Sequence, residues 1–195
     1  DTIEALRLTV DAKDEYTRGH SDRVAFLSTK TGQAFNLSEN ELETLRIGGI
    51  FHDIGKISTA DEILKKADTL SNQEYEIIKQ HPLKGAHILS ALSMFNDAVP
   101  LIKYHHEWID GTGYPIGLKG DDIPFLARIL SVADAFDAMT STRHYRSKLN
   151  IQNAKEQLLS GAGTQFDKKV VDVFIKVVID NFQEVAEEMN KTLNI

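Results

Sequence analysis

Residues 50–56 of the chain read IFHDIGK and place a histidine beside an aspartate at the end of an apolar run. Alone, the pair His52-Asp53 is weak evidence of a site, because a single histidine is more often a surface or hydrogen-bonded residue. The chain has seven histidines, however, and His105-His106 forms a second adjacent pair. Repeated imidazoles are typical of metal sites, since the neutral ring is a common ligand.

A further acidic residue occurs in an apolar setting. Asp134 belongs to the segment SVADAFDAM, where it shares a predicted helix with Leu130, Val132 and Phe136. Burying an unpaired carboxylate is unfavourable. We therefore expect Asp134 to have a partner, and a metal ion is one candidate.

Five histidines and two aspartates, distributed over several helices, fit a two-metal site inside a helical bundle. Imidazole and carboxylate ligands suit Fe, Mn, Ni or Zn, and a chain without cysteine offers no thiolate. Two metals about 4 Å apart are the usual equipment for hydrolysing phosphate esters. Such a pair needs a bridging carboxylate, and an aspartate adjacent to a histidine ligand could provide it.

Helical elements must position these side chains. Ser38 and Ser71 each begin a capping box, which predicts a helix start. Pro82 predicts a helix break beside His81, because the residue before a proline disfavours helical geometry. Further predicted helix starts lie at Pro100, Pro124, Asn150 and Asp167, and apolar residues recur at helical spacing in Ile3-Leu6-Val10 and Val24-Leu27-Thr31. No segment has the pattern of a strand, so the predicted fold class is all-α.

One long irregular segment stands out between the predicted helices. Residues 110–122 read DGTGYPIGLKGDD, in which glycine and proline block regular structure. A loop of this length in a compact helical domain is often functional, although a surface linker is the plainer interpretation.

Composition limits the classes of protein to consider. The 195 residues suit one domain, 1–195, and the chain does not begin with Met, so a fragment of a longer protein is one interpretation. No apolar run has the length of a membrane helix and no signal peptide is evident, which makes a cytoplasmic location the default expectation. The net charge of −7 disfavours general nucleic-acid binding.

Five segments taken together resemble one known family. YTRGHSDRVA, GGIFHDIGKI, KQHPLKGAHIL, HHEWIDGTGYPIGLKGDDIP and ARILSVADAFDAMTSTRHYR occur in the order typical of HD-GYP cyclic di-GMP phosphodiesterases, a branch of the HD superfamily of metal-dependent phosphohydrolases. The resemblance runs from about residue 16 to residue 166. It implies a five-helix HD core and additional C-terminal helices. It also implies that residues 110–122 form an ordered loop, which we call the GYP loop.

The resemblance also implies a binuclear site, with Fe or Mn as the expected metals. One metal would be held by His20, His52, Asp53 and Asp134, and the second by His81, His105 and His106 with Asp53 as the bridge. His87 and His144 fall outside the motif. Some members of the family have a glutamate one helical turn before the first histidine and resemble three-metal enzymes; Tyr16 takes that position here, so we expect two metals.

The substrate contacts are further expectations. Lys56 follows His52 by four residues, so the two side chains share a face if the helix continues, and Lys56 would contact the scissile phosphate. The plainer interpretation is a solvated lysine at a helix end. Arg143 and Arg146 suit bidentate phosphate binding, and Tyr114 of the GYP loop would stack or hydrogen-bond. Asp53 and Lys56 are the candidate catalytic residues.

The implied reaction is attack of a hydroxide that bridges the metals on cyclic di-GMP, giving linear pGpG and in some relatives GMP. Two alternatives stay open: a phosphodiesterase for another cyclic dinucleotide such as cyclic GMP-AMP, and a non-catalytic HD-like signalling or binding module. Expected partners are diguanylate cyclase (GGDEF) domains and an N-terminal sensor domain. Residues 1–14 would be a connecting helix, a homodimer contact or one more packing helix.

Overall fold

The computed structural model describes residues 3, 6–8, 19–66, 68–141 and 149–193. Within these residues the regular structure is helical, with one isolated bridge between Ala162 and Phe166 and no strand. The all-α prediction is therefore confirmed. The α-helices are α1 His20–Ala34, α2 Glu39–Phe51, α3 Asp61–Leu64, α4 Asn72–Ile78, α5 His81–Ser90, α6 Val99–Tyr104, α7 Phe125–Thr140, α8 Ile151–Gly161, α9 Lys168–Phe174 and α10 Phe182–Leu193.

The predicted helix starts are confirmed with small shifts. Ser38 and Ser71 form complete capping boxes before α2 and α4, and the side chains of Asn150 and Asp167 cap α8 and α9. Pro124 precedes α7 and does not open it as its first residue. Its fixed φ and missing N–H suit either position, since neither uses an intrahelical N–H bond.

Helices α1, α2 and α7 pack together at the centre of the molecule. The backbones of α1 and α2 approach so closely that a Cβ on Gly49 would lie 2.4 Å from the Cα of Ala25. A large apolar cluster fills the space between these helices and the C-terminal helices, and Phe136 and Phe174 are almost completely buried in it. The C-terminal helices thus hold α7, which carries Asp134, against α1.

A second apolar cluster lies on the other side of α2. It includes Phe51, Phe95 and Ile102, and the partly buried side chains of Ile3 and Leu6 pack against it. That contact gives Ile3 and Leu6 a packing role. Val10 lies outside the described residues.

Helix α2 ends at Phe51, immediately before the His-Asp pair, and residues Ile54–Ser58 form a 3-10 helix. The condition under which Lys56 shares a helix face with His52, a continuous α-helix, is therefore not met. A Cβ on Gly55 would lie 1.9 Å from the carbonyl oxygen of His81, so only glycine allows the 3-10 helix to meet the start of α5. This close contact brings Asp53 and His81 together.

Residues 110–122 run as an irregular loop, as predicted, and the loop ends in a short 3-10 helix, Gly120–Asp122, which was not predicted. No helix in the described ranges combines the length and apolar character that crossing a bilayer requires.

Candidate metal centre

Three helices bring the first group of ligand-type side chains together. His20 begins α1, His52 follows α2 and Asp134 lies in the middle of α7. One possible ligand atom from each lies within 4.8 Å of the others. The Nε2 atoms of His20 and His52 are 3.4 and 3.7 Å from Oδ1 of Asp134. Asp134 thus has the partners that its apolar sequence context predicts.

A second group consists of three histidines. His81 begins α5, and His105 and His106 follow the last residue of α6. Their possible ligand atoms again lie within 4.8 Å of one another, and the Nε2 atoms of His81 and His105 are 3.4 Å apart.

Asp53 lies between the two groups. Its Oδ1 is 3.2 Å from Nε2 of His81, and its Oδ2 is 3.4 Å from Nε2 of His52. The residue is almost completely buried. One carboxylate therefore faces both groups with different oxygens, which is the arrangement that a bridging ligand requires.

Backbone carbonyls fix the tautomers of three of these histidines. The Nδ1 atoms of His52, His81 and His105 each donate to the carbonyl three residues earlier, at 2.8 Å. A carbonyl can only accept, so the proton is on Nδ1 and the Nε2 lone pair is free for a metal. Nε2 of His52 is buried and has no hydrogen-bond partner in the described part of the chain. An orphaned acceptor of this kind fits a metal-binding role.

Burial and charge set the ionisation of the two groups. Burial lowers the pKa of His81 and of His106 to about 3, which keeps both rings in the neutral form that binds metals. Burial alone would raise the pKa of Asp53, but the charge of the Lys56 ammonium holds it well below its usual value. The carboxylate is thus ionised. The donor set suits divalent metal ions, since neutral imidazoles and a carboxylate offer nitrogen and oxygen ligands.

His20 has a different environment from the other histidines. Its Nδ1 lies 2.7 Å from Oδ2 of Asp137, which also receives hydrogen bonds from Arg23. Burial would lower the pKa of His20, but hydrogen bonds to Asp134 and Asp137 raise it to about 9. Sequence reasoning missed Asp137, although its position three residues after Asp134 puts both carboxylates on one face of α7.

Lys56 contacts the candidate bridge directly. Its Nζ donates to Oδ2 of Asp53 at 2.6 Å, and its side chain is partly open to solvent. Tyr114 stacks on the ring of His106, with centroids 4.7 Å apart and an angle of 28° between the rings. The structure therefore brings Lys56 and Tyr114 to opposite groups of the same centre. Arg143, Arg146, Tyr16 and His144 lie outside the described residues, and His87 is exposed and belongs to neither group.

Glu107 is a second residue that sequence reasoning missed. Its buried carboxylate accepts hydrogen bonds from the backbone N–H groups of Ile116, Gly117 and Leu118, at 2.7 to 2.9 Å. The N–H of Tyr114 also donates to the carbonyl of His106, at 3.0 Å. These contacts fix the GYP loop beside the second group of histidines. The signal in the sequence was an acid between a histidine pair and a loop with many free N–H groups.

Comparisons with known proteins show which proteins this chain resembles. A cyclic di-GMP phosphodiesterase from Thermotoga maritima is 35% identical over 179 residues, which are 91% of this chain and 49% of that protein. A 3'3'-cGAMP-specific phosphodiesterase from Vibrio cholerae is 33% identical over 97% of this chain and 42% of its own length. The chain thus spans about half the length of the curated relatives it matches.

A solved structure shares the fold. An HD-GYP protein from Bdellovibrio bacteriovorus superimposes with a TM-score of 0.67, at 23% identity, over 81% of this chain and 51% of its own. The names of these relatives confirm the resemblance to HD-GYP phosphodiesterases that the five sequence segments indicated. The model of the HD domain family matches residues 4–170. The chain therefore belongs to the HD domain family.

Proposed function

We propose that this chain is a metal-dependent phosphodiesterase domain that hydrolyses cyclic di-GMP to linear pGpG. The observation that carries the proposal is the position of Asp53, whose two oxygens face His52 on one side and His81 on the other. Two adjacent cation sites with a shared carboxylate suit in-line displacement at a phosphodiester. The names of the relatives supply the substrate class.

The centre would hold two divalent ions, and Fe or Mn suits its oxygen and nitrogen donors. When bound, the ions would lower the pKa of water and neutralise charge on the phosphate. The proposed ligands of the first ion are His20, His52, Asp53 and Asp134, and those of the second are Asp53, His81, His105 and His106.

The residues around the centre would bind and orient the substrate. Lys56 already lies one hydrogen bond from Asp53 and is partly exposed, so its ammonium can reach a phosphate oxygen and stabilise the charge that develops there. Tyr114, which stacks on His106, would line one side of the substrate-binding site. Arg143 and Arg146 are proposed as phosphate contacts on the sequence resemblance alone.

A second candidate substrate is cyclic GMP-AMP. The observation in its favour is the relative from Vibrio cholerae that is named for this specificity and is nearly as similar as the cyclic di-GMP phosphodiesterase. Both substrates present the same phosphodiester to the centre, so the difference must come from contacts with the bases.

We also propose that residues 1–195 form one HD-GYP domain of a longer cytoplasmic signalling protein, since the relatives are about twice as long as the region they share with it. An N-terminal sensor domain would connect through residues 1–14, which could also contribute to a homodimer. Diguanylate cyclase (GGDEF) domains are the proposed protein partners.

Reconstitution and turnover test the proposal. The metal-free protein is loaded anaerobically with Fe(II) or Mn(II), its metal content is measured, and hydrolysis of cyclic di-GMP, cyclic GMP-AMP, cyclic di-AMP and pGpG is followed. We expect two ions per chain and the fastest turnover with cyclic di-GMP. Two bound ions with no turnover of any of these substrates would favour the non-catalytic binding module.

Replacing the bridge gives a sharper prediction. Asp53→Ala should lower kcat by about 1,000-fold or more, because two adjacent cations lose the carboxylate that both would share. The matched control is Asp97→Ala, which removes an exposed carboxylate. Both variants are compared by circular dichroism and metal content. Turnover of a folded Asp53→Ala protein near the wild-type rate would refute the assignment.

A further inference from the structure

Tyr75 lies in α4 and Lys79 directly after it, and both side chains are near the GYP loop. Neither residue has a role in the site described above. Tyr75 is 49% exposed although its ring is a large apolar surface. Lys79 follows the last residue of α4 and comes two residues before His81. Lys79 therefore lies at the edge of the second histidine group.

The ammonium of Lys79 is held between two aromatic rings. Its Nζ is 5.5 Å from the ring centroid of Tyr75 and 5.6 Å from that of Tyr114. Both distances are within the range of a cation–π interaction. Because Tyr114 itself stacks on His106, two ring contacts connect Lys79 to the proposed metal centre.

The present partners of Lys79 leave it available to a ligand. Its ion pair with Glu76, at 2.7 Å, is exposed, with 64% of the Glu76 side chain open to solvent. Exposed pairs of this kind contribute little to stability, so a ligand can displace the carboxylate without a large penalty. The two rings meanwhile restrict where the ammonium can point.

The chemistry of this cluster fits a purine base. Aromatic side chains stack on nucleobases, and this contact accepts any base because every base has a π face. A lysine donates well to O6 and N7 of guanine, whereas adenine presents an amino group at the same edge. A nucleoside whose phosphate lies at the histidine groups would place its base near Lys79.

We propose that Tyr75 and Lys79, together with Tyr114, form a base subsite in which Tyr75 stacks on a purine and Lys79 selects guanine over adenine. The inference rests on the proposed function, because it takes a guanine-containing cyclic dinucleotide as the substrate. It deepens that function by assigning base selection to Tyr75 of α4 and to Lys79, which follows the last residue of that helix.

The test measures specificity and not activity alone. The ratio of kcat/KM for cyclic di-GMP to that for cyclic di-AMP is determined for the wild type, Lys79→Met and Lys103→Met. Lys103 is the matched control, since it also precedes a histidine by two residues and lies 5.1 Å from a tyrosine ring, that of Tyr104. Bis(p-nitrophenyl) phosphate serves as a diester without a purine.

We expect Lys79→Met to lower the guanine-to-adenine ratio by about 10-fold or more, the size of one base contact, mainly through KM. The purine-free diester should be cut at the wild-type rate by both lysine variants. Tyr75→Ala should raise KM for both dinucleotides by about 10-fold, and Tyr75→Phe should restore it, because stacking needs the ring and not the hydroxyl.

Three results would overturn the inference: a wild type without guanine preference, an unchanged ratio in Lys79→Met, or an equal loss of activity on the purine-free diester. Failure of the proposed function gives a different result, namely a wild type that cuts no cyclic dinucleotide. Binding of GMP and AMP, measured by calorimetry on the metal-loaded proteins, then decides the inference, since Lys79→Met must remove a preference for GMP.

Discussion

At the scale of single residues, the centre depends on which nitrogen of each histidine carries the proton. His52, His81 and His105 each donate from Nδ1 to a carbonyl of the preceding helical turn, so Nε2 faces the interior. His20 uses a carboxylate for the same purpose, that of Asp137. Orienting groups of this kind commonly change metal affinity by about 10- to 100-fold.

Asp137→Asn tests this orienting role. We expect the affinity for Mn(II) to fall by about 10- to 100-fold, because the neutral amide accepts from Nδ1 of His20 less strongly and pairs less well with Arg23. Metal titration followed by calorimetry measures the change without any turnover assay. Asp172→Asn, an exposed aspartate on α9, is the matched control. Unchanged Mn(II) affinity in a folded Asp137→Asn protein would contradict the prediction.

At the scale of elements, most of the proposed ligands lie at the ends of helices. His20 and His81 begin helices, whereas His52 and His105 come directly after them. A helix end places a side chain at the edge of the packed bundle while the helix itself stays fixed by its apolar face. The GYP loop has no such support and depends on Glu107, which binds three of its N–H groups.

Glu107→Gln should therefore loosen the loop. A neutral amide has one acceptor oxygen where the carboxylate has two, and hydrogen bonds to charged groups contribute about 1.5–3 kcal/mol each. We expect the free energy of unfolding in urea to fall by about 2 kcal/mol or more and the N–H groups of residues 116–118 to exchange faster. Glu43→Gln, at an exposed pair with Arg46, is the control. Equal exchange rates in both variants would rule out this role of Glu107.

At the scale of the whole molecule, two apolar clusters hold a buried polar centre between them. The ionisation of that centre links its charge to the stability of the fold. Neutral His81 and His106 are favoured in the folded state, whereas charged His20 is favoured there. Acid should destabilise the fold through His81 and His106, and alkali should destabilise it through His20. The metal-free protein should therefore be most stable at a pH between these two ranges.

The sign of the pH dependence follows from the direction of each shift. In the unfolded chain a histidine titrates near 6.5, but in the folded chain the pKa of His81 and of His106 is about 3. Below pH 6.5 the unfolded state thus binds more protons than the folded state. As the pH falls from there towards 3, the free energy of unfolding decreases by about 1.4 kcal/mol per pH unit for each residue. The pKa of His20 is about 9, so its contribution is lost as the pH rises from 6.5 through 9.

Urea denaturation of the chelator-treated protein at pH 5, 6, 7, 8 and 9 measures this profile. His81→Gln should flatten the acid side, whereas His87→Gln, which changes an exposed histidine, should leave it unchanged. Adding Mn(II) at pH 7 should raise Tm, since an ion that binds only the folded state stabilises it. A stability that stays constant from pH 7 to pH 5 would disprove the acid side of the prediction.

The sequence by itself determined the helical fold and the helix starts at Ser38, Ser71, Asn150 and Asp167, because caps and apolar periodicity are local properties of the chain. The set of seven candidate ligands came from the resemblance of five sequence segments to the HD-GYP family. The tertiary structure decided the rest. Gly55 contacts His81, which is distant in sequence, and the two oxygens of Asp53 face different histidine groups. Asp137 and Glu107 hydrogen-bond to His20 and to the GYP loop. These contacts join segments far apart in the chain or depend on the direction of a side chain. Their energies arise from burial and packing between helices, which no local pattern encodes.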